Sequence, residues 1–242
     1  MPKLRGRWLL PVHAVFALVV VSACGGDDEP EKSSGKASDL KAQQQGQATL
    51  QRASVAMGKV QSVSFRLATE GKPSIMVKGG DLKLLRNGDA EGTLTIEQSG
   101  QAVEMKVVAL GNNFHLKAVT GGWRTLPKAA ASMMYDTSAV LDPERGIAKL
   151  LTTVKAPAAQ GSEKVAGKDA EKVSATLPKD AIGGLIPGID SDLPGQVWIS
   201  KADSRLVKVK AEIPPPAGGG DKGSVIIDFT EFDAPYKISA PK

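Results

Sequence analysis

The chain is poor in the residues from which most catalytic centres are built. Its 242 residues include one cysteine, Cys24, and two histidines, His13 and His115. A lone thiol excludes an intramolecular disulfide. A zinc site needs several His or Cys ligands, and the sequence has too few to supply one. Any Ser-His-Asp or Cys-His site in the body of the chain would rest on His115. That residue falls on the polar side of a strand pattern, with no nucleophile elbow beside it. There is no Gly-Lys-Ser/Thr phosphate loop. Aromatic residues make up only 4% of the chain, and no dense Lys/Arg patch is interleaved with them. Nucleic acid is therefore not an expected partner. No enzymatic role, metal or cofactor is expected. Long apolar runs are lacking too: Trp8 to Val21 is interrupted by Pro11 and His13 and is too short for a comfortable span of a bilayer.

What is present begins at the amino terminus. Lys3, Arg5 and Arg7 precede that apolar run, and small residues follow it. This is the layout of a secretory signal. It ends in Val21-Ser22-Ala23-Cys24, which resembles the bacterial lipobox. The motif implies a diacylglyceryl group on the Cys24 thiol and cleavage just before it. Two acyl chains suffice for stable anchoring where one is marginal. The expected location is the cell membrane, with the protein lipid-anchored on its extracytoplasmic face. Residues 1–23 carry three basic side chains and no acidic ones, so the net charge of +5 falls to +2 in the mature chain.

Residues 24–45 are rich in Gly, Ser, Asp, Glu, Lys and Gln. Such a stretch buries too little apolar surface to offset its ordering entropy. A flexible tether is expected there, with one folded domain over 46–242. Leu50, Ala53, Met57 and Val60 recur at helical spacing, which predicts an amphipathic helix from about Thr49 to Lys59. The period then becomes two. Val63, Phe65 and Leu67 alternate with polar residues, as do Leu82 and Leu84; Leu94 and Ile96; Val103, Met105 and Val107; and Phe114, Leu116 and Ala118. Gly- and Asn-containing turns separate these runs, as in an antiparallel meander.

Asp142-Pro143 reads as a helix N-cap and first turn. Ile147, Leu150, Leu151 and Val154 then form an apolar stripe. A shorter helix is predicted around Ala129–Tyr135, and Pro157 should close the helical region. Further strands are expected at Glu163–Ala166, Glu171–Leu177, Gln196–Ser200, Arg205–Ile213 and Ser224–Phe232, with Val207, Val209 and Ala211 on one face of the fourth. The loop from Gly183 to Leu193 should expose Leu185, Ile186 and Ile189 between helix-breaking residues, as a candidate lid or membrane-touching mouth. The fold class is α+β: one large antiparallel sheet, polar outside, twisting into an open barrel over its helices.

Two stretches carry a wider resemblance. One is Tyr135-Asp136-x-x-x-Val140-Leu141-Asp142-Pro143-x-x-Gly146-Ile147-Ala148-x-Leu150-Leu151. The other is Leu193-Pro194-x-Gln196-Val197-Trp198-Ile199 followed by Leu206-Val207. With the lipobox, the polar tether, the Gly-Asn-Asn-Phe strand and the Trp123 turn in the same order, the chain resembles the mycobacterial LprG/LppX (LppX_LprAFG) type of lipid-binding lipoprotein. The resemblance implies a strongly curved antiparallel half-barrel with helices on its concave face. It also implies an apolar cavity between sheet and helices that holds the acyl chains of lipids or glycolipids, carried toward the outer envelope, in some members with a membrane lipid transporter. A monomer is expected. The cavity lining would be Val63, Phe65, Leu67, Leu82, Leu84, Leu94, Ile96, Val103, Met105, Val107, Phe114, Leu116, Ile147, Leu150 and Leu151. The alternative is a lipid-anchored interaction protein with a filled core and no cargo. A long apolar cavity separates the two.

Overall fold

The computed structural model describes residues 31–132, 136–183, 185–186, 189–215 and 222–242. The signal segment 1–23, Cys24, Tyr135 and most of the Pro/Gly connection after Ile213 lie outside the described residues.

The first helix, α1 (Glu31–Met57), is longer than predicted and includes much of the expected tether. The reason is local. Residues 36–45, Lys-Ala-Ser-Asp-Leu-Lys-Ala-Gln-Gln-Gln, are mostly good helix formers. Low hydrophobicity removed the reason to pack, but not the reason to coil. Packing begins only at Gly46: residues 35–45 are exposed except for half-buried Ala42, whereas Leu50, Ala53 and Met57 are buried as one stripe.

Among the described residues, eleven strands form a single sheet: β1 (Ser62–Gly71), β2 (Val77–Leu85), β3 (Ala90–Gln98), β4 (Gln101–Leu110), β5 (Asn113–Ala118), β6 (Arg124–Pro127), β7 (Lys155–Val165), β8 (Lys168–Leu177), β9 (Leu193–Ser200), β10 (Leu206–Ile213) and β11 (Gly223–Phe232). Their spatial order is β6-β5-β4-β3-β2-β1-β11-β10-β9-β8-β7, antiparallel throughout. Two meanders thus run in opposite directions from a central seam, where Leu67 opposes Ile227 and Phe65 opposes Phe229. The end strands β6 and β7 do not pair with each other, so the barrel stays open.

Helices occupy the concave side. The helix α1 lies over β7 and against α3 (Ile147–Thr153); α2 (Lys128–Ser132) sits at the end of β5 and β6, and α4 (Lys179–Ile182) touches α3. Pro157 does not close a helical region; it lies inside β7. This is tolerable because β7 is an edge strand, where one missing amide donor disturbs no ladder. The predicted Asp142-Pro143 helix start is also displaced. The Asp142 carboxylate accepts from the Glu144 amide at 2.8 Å and the Asp142 carbonyl from the Gly146 amide at 2.8 Å. These bonds close a turn, and α3 begins five residues after Asp142, at Ile147.

Curvature has a local cause in β2 and β3. Register places Phe65, Leu82, Gly92, Val107 and Leu116 in one row across five strands, and Leu67, Gly80, Leu94, Met105 and Ala118 in the next. At Gly92 a Cβ would stand 2.2 Å from the Asp81 carbonyl oxygen, and at Gly80 it would stand 2.5 Å from that of Thr93. Only glycine permits such a close approach, and paired glycines of this kind let a sheet bend sharply.

The outer face is polar, with one small apolar island. Val207 points outward with Trp198 and Ala170 rather than sharing a face with Val209 and Ala211. A register shift between Leu206 and Lys208 breaks the alternation. Lys172 and Lys208 stand 5.2 and 5.4 Å from the Trp198 ring centre, and the indole donates to Glu163.

Candidate functional site: an apolar cavity under the sheet

The inner faces of β1–β5 are apolar, yet β3 and β5 residues such as Leu94, Ile96, Phe114 and Leu116 are only half-buried. The helices cover the β7–β9 side and leave this wall uncovered. The result is a partly open cavity of about 590 Å³, within the rough 300–1,000 Å³ range of small-molecule sites. Its lining is almost wholly hydrocarbon. Only Ser74 and Thr137 among the lining residues are polar, and none is charged. Thr137 has no hydrogen bond to spare for a ligand at its donor, since its hydroxyl donates to the Gly88 carbonyl at 2.7 Å. A space of this kind holds water poorly and apolar matter well.

Residues 136–146, ahead of α3, form one wall and are held by a polar knot on its outside. Asp136 accepts from the Ser138 amide at 2.9 Å and from its hydroxyl at 2.5 Å. Arg145 donates to Asp142 at 3.0 Å and to Asp136 at 3.3 Å. Burial pushes the Asp136 carboxyl up, but the Ser138 and Arg145 bonds together outweigh it and hold it below the usual carboxylate range. The Asp142 carboxyl is also lowered, first by the Glu144 amide and then by Arg145. Gly146 completes the knot, because a Cβ there would lie 2.2 Å from the Val140 carbonyl oxygen. The knot turns Val140 and Thr137 onto the cavity wall. This is the physical content of the Asp136-to-Gly146 pattern.

Eleven of the fifteen residues expected to line a cavity do so: Phe65, Leu67, Leu82, Leu94, Ile96, Met105, Val107, Phe114, Leu116, Ile147 and Leu150. Four do not. Val63, Leu84 and Leu151 are 0–1% exposed and lie in solid core, and Val103 is half-buried near the open end of β4. The loop after α4 departs further from expectation. Leu185 and Ile186 are 8% and 1% exposed, and Ile189 packs against the core. They are not an exposed lid. The Leu185 and Ile186 amides both donate to the Ile182 carbonyl, at 2.9 and 2.8 Å, which winds the loop back on α4 and turns the side chains inward. Leu185 itself lines the cavity. Gly184, Pro187 and Gly188 of this loop lie outside the described residues.

Several lining residues were not foreseen. Leu206, Val209, Ile227 and Phe229 come from β10 and β11. Val209 lies on an alternation legible in the sequence, but Leu206 is out of phase with it because of the register shift before Lys208, and the central seam that brings β11 beside β1 was not legible. Ile75 and Met76 belong to the β1–β2 connection, where nothing in the sequence marks a wall. His115 stays away from the cavity: its Nδ1 meets the Thr125 hydroxyl at 2.8 Å across β5 and β6. Among the described residues no group of His, Cys, Asp and Glu could hold a metal ion. No described helix is long and apolar enough to cross a membrane.

Known proteins share this architecture. The crystal structure of LprF from Mycobacterium bovis superposes with a TM-score of 0.71 at 22% identity, covering 82% of this chain and 97% of that one. The crystal structure of the Mycobacterium tuberculosis lipoprotein LppX gives a TM-score of 0.60 at 22% identity, over 81% and 99%. In sequence, the chain is 29% identical over 239 residues to the lipoarabinomannan carrier protein LprG of Mycolicibacterium smegmatis, covering 95% of this chain and 96% of the relative. The LprG of Mycobacterium leprae is 23% identical over 189 residues, 76% of each chain. The profile of the LppX_LprAFG lipoproteins matches residues 45–235. With that profile over most of its length and the curved sheet it implies, the chain belongs to the LppX_LprAFG lipoprotein family.

Proposed function

We propose that the protein is a lipid-anchored carrier that takes acyl chains of a lipid or glycolipid into the concave cavity and moves them toward the outer envelope. One observation carries this reading. A cavity of about 590 Å³ has no charged lining residue and only two polar ones. Such a surface recognises hydrocarbon and nothing more specific, so chain length and number would decide affinity, and a polar headgroup would remain at the opening. Each buried methylene contributes about 0.8 kcal/mol. The work is extraction and release, without covalent chemistry. Related carriers of the family, including the lipoarabinomannan carriers among its relatives, support the class of cargo. Acylation of Cys24 would keep the carrier at the extracytoplasmic face, and a membrane lipid transporter is a fitting source of cargo.

The test is mass spectrometry of what co-purifies with a Cys24→Ser chain made in an actinobacterial host. Acylated lipid in near-stoichiometric amount is expected. A lipid-free protein with an empty cavity would overturn the carrier reading and favour the interaction protein.

A further inference from the structure

The two ends of the β1–β6 half of the sheet differ in chemistry. At one end lie three connections: residues 71–76, 98–102 and 119–123. Register brings them level, since Val77 opposes Ile96, Ile96 opposes Val103, and Met105 opposes Ala118. These sixteen residues carry one charged side chain, Lys72, where the chain average of 24% would give about four. The opposite end of the same half carries Lys59, Arg86 and Asp89 on its short connections. This charge-poor end also bears exposed apolar side chains, Met76 at 60% and Val119 at 74%.

This end is also a rim of the cavity. The Ile75 amide donates to the Pro73 carbonyl at 2.9 Å, a tight turn that sends Ile75 inward and leaves Ser74 and Met76 exposed. All three line the cavity. The amino-terminal helix points the same way. Its carboxyl end leads through four residues to the start of β1, so its amino end lies toward the far end of β1, beside Gly71. Contacts agree: Gly46 abuts the backbone of residues 157–159, while Thr49 and Arg52, further along, reach Glu171. The exposed residues 35–45 therefore extend about 15 Å toward the same end of the sheet, from its β7 side, and Cys24 precedes them in the chain.

We propose that this charge-poor end is a membrane-docking surface: Met76 and Val119 seat in the interface of the bilayer that holds the anchor, and the rim formed by Ser74–Met76 opens onto its acyl layer. The occupant is the lipid surface. This docking rests on the carrier reading for the anchor at Cys24. Exposed apolar side chains on connections poor in charge suit the headgroup–acyl boundary, with the Lys78–Glu97 pair set back one residue from Met76, and cargo could pass from bilayer to cavity without crossing water.

The experiment uses the full acylated chain in vesicles of phosphatidylcholine and phosphatidylglycerol. Met76→Cys, Val119→Cys and Asn87→Cys each introduce the only free thiol for a bimane label, since the Cys24 thiol is acylated. All three positions are in turns or exposed, so folding should survive, and a thermal melt checks it. Doxyl-labelled lipid should quench the label at positions 76 and 119 and leave position 87 bright. Equal quenching at all three positions, or the strongest at 87, overturns the proposal while the carrier reading stands. Flotation reads the anchor separately: a chain that does not float with the vesicles removes the anchor and this proposal with it. Lipid co-purification remains an independent reading of the cargo.

Discussion

Val107→Trp should abolish lipid binding and leave the fold nearly untouched. Val107 is 6% exposed, sits between Gly92 and Leu116 in an inner row of the sheet, and lines the cavity. Val63 is a matched control: it is fully buried on the same face of the sheet but does not line the cavity. Forcing a larger side chain into close-packed core costs about 1–3 kcal/mol. In a domain of this size each kcal/mol lowers the melting temperature by roughly 2–4 °C, so Val63→Trp should lose up to about 12 °C. At position 107 the indole can enter empty space, and the expected loss is under about 4 °C by the same scale. The ligand bears the cost instead. If the indole displaces four methylenes, binding weakens by about 3 kcal/mol, roughly 200-fold. Leu94→Trp, further along the same wall, should behave alike. Thermal melts and lipid extraction with mass spectrometry on the same preparations read both quantities. Equal destabilisation by Val107→Trp and Val63→Trp, with lipid retained in both, would refute the reasoning and mean that the cavity is closed core in solution.

Replacing Leu185 and Ile186 together with Ser should cost at least about 2–5 kcal/mol in a thermal melt, because both side chains are buried. A stable variant whose only defect is slow transfer between vesicles would restore the exposed-lid expectation. Gly92→Ala should destabilise by about 1–3 kcal/mol and reduce co-purifying lipid, since its Cβ would meet the Asp81 carbonyl oxygen at 2.2 Å; a wild-type melt with full lipid would show that the bend does not depend on this glycine. Tyr236, whose hydroxyl donates to Glu231 at 2.6 Å, has its pKa raised to about 12 by burial and by the Glu231 carboxylate. The unfolded phenol titrates near 10, so its contribution is full below about pH 10 and lost as pH rises through about 12. Tyr236→Phe should remove a phenolate absorbance step near the upper value, and an unchanged alkaline titration would contradict the assigned bond.

What the sequence made legible was whatever depends on neighbours along the chain. Period-two alternation located β1 to β5 because each strand has one wet and one dry face; β8 to β11 were expected as strands too, but of these only β10 was read by alternation, and there Val207 falls on the other face. The stripe Ile147, Leu150 and Leu151 was legible for the same reason. Local signals also misled where two causes have one appearance. A polar, low-hydrophobicity segment looks the same whether it coils or not, so residues 31–45 were read as tether although their helix propensity is high. Asp-Pro opens a turn as readily as a helix, and Asp142 opens a turn. Apolar residues between glycines suggested an exposed lid, yet Leu185 and Ile186 turn inward once their amides fold back on Ile182.

The cavity itself is a different kind of property, and its legibility has a limit set by physics. An inner face lined by Val, Leu, Ile and Met reads alike in sequence whether helices press on it or stand off. The distinction depends on how far the helices reach across the sheet. Here α1 covers the β7–β9 side with α3 packed against it, and the short α2 touches only the rim at β5 and β6, so β2 to β5 face open space. Val63 and Leu84 lie one row toward the closed end and are sealed; Leu94 and Met105 lie two rows away and are not. Nothing in residue type separates these pairs. The two glycines that bend the sheet, Gly80 and Gly92, are the nearest thing to a sequence signal for hollowness. They occupy inward positions in β2 and β3 where a filled core would place a side chain, and in doing so they both curve the wall and leave room against it.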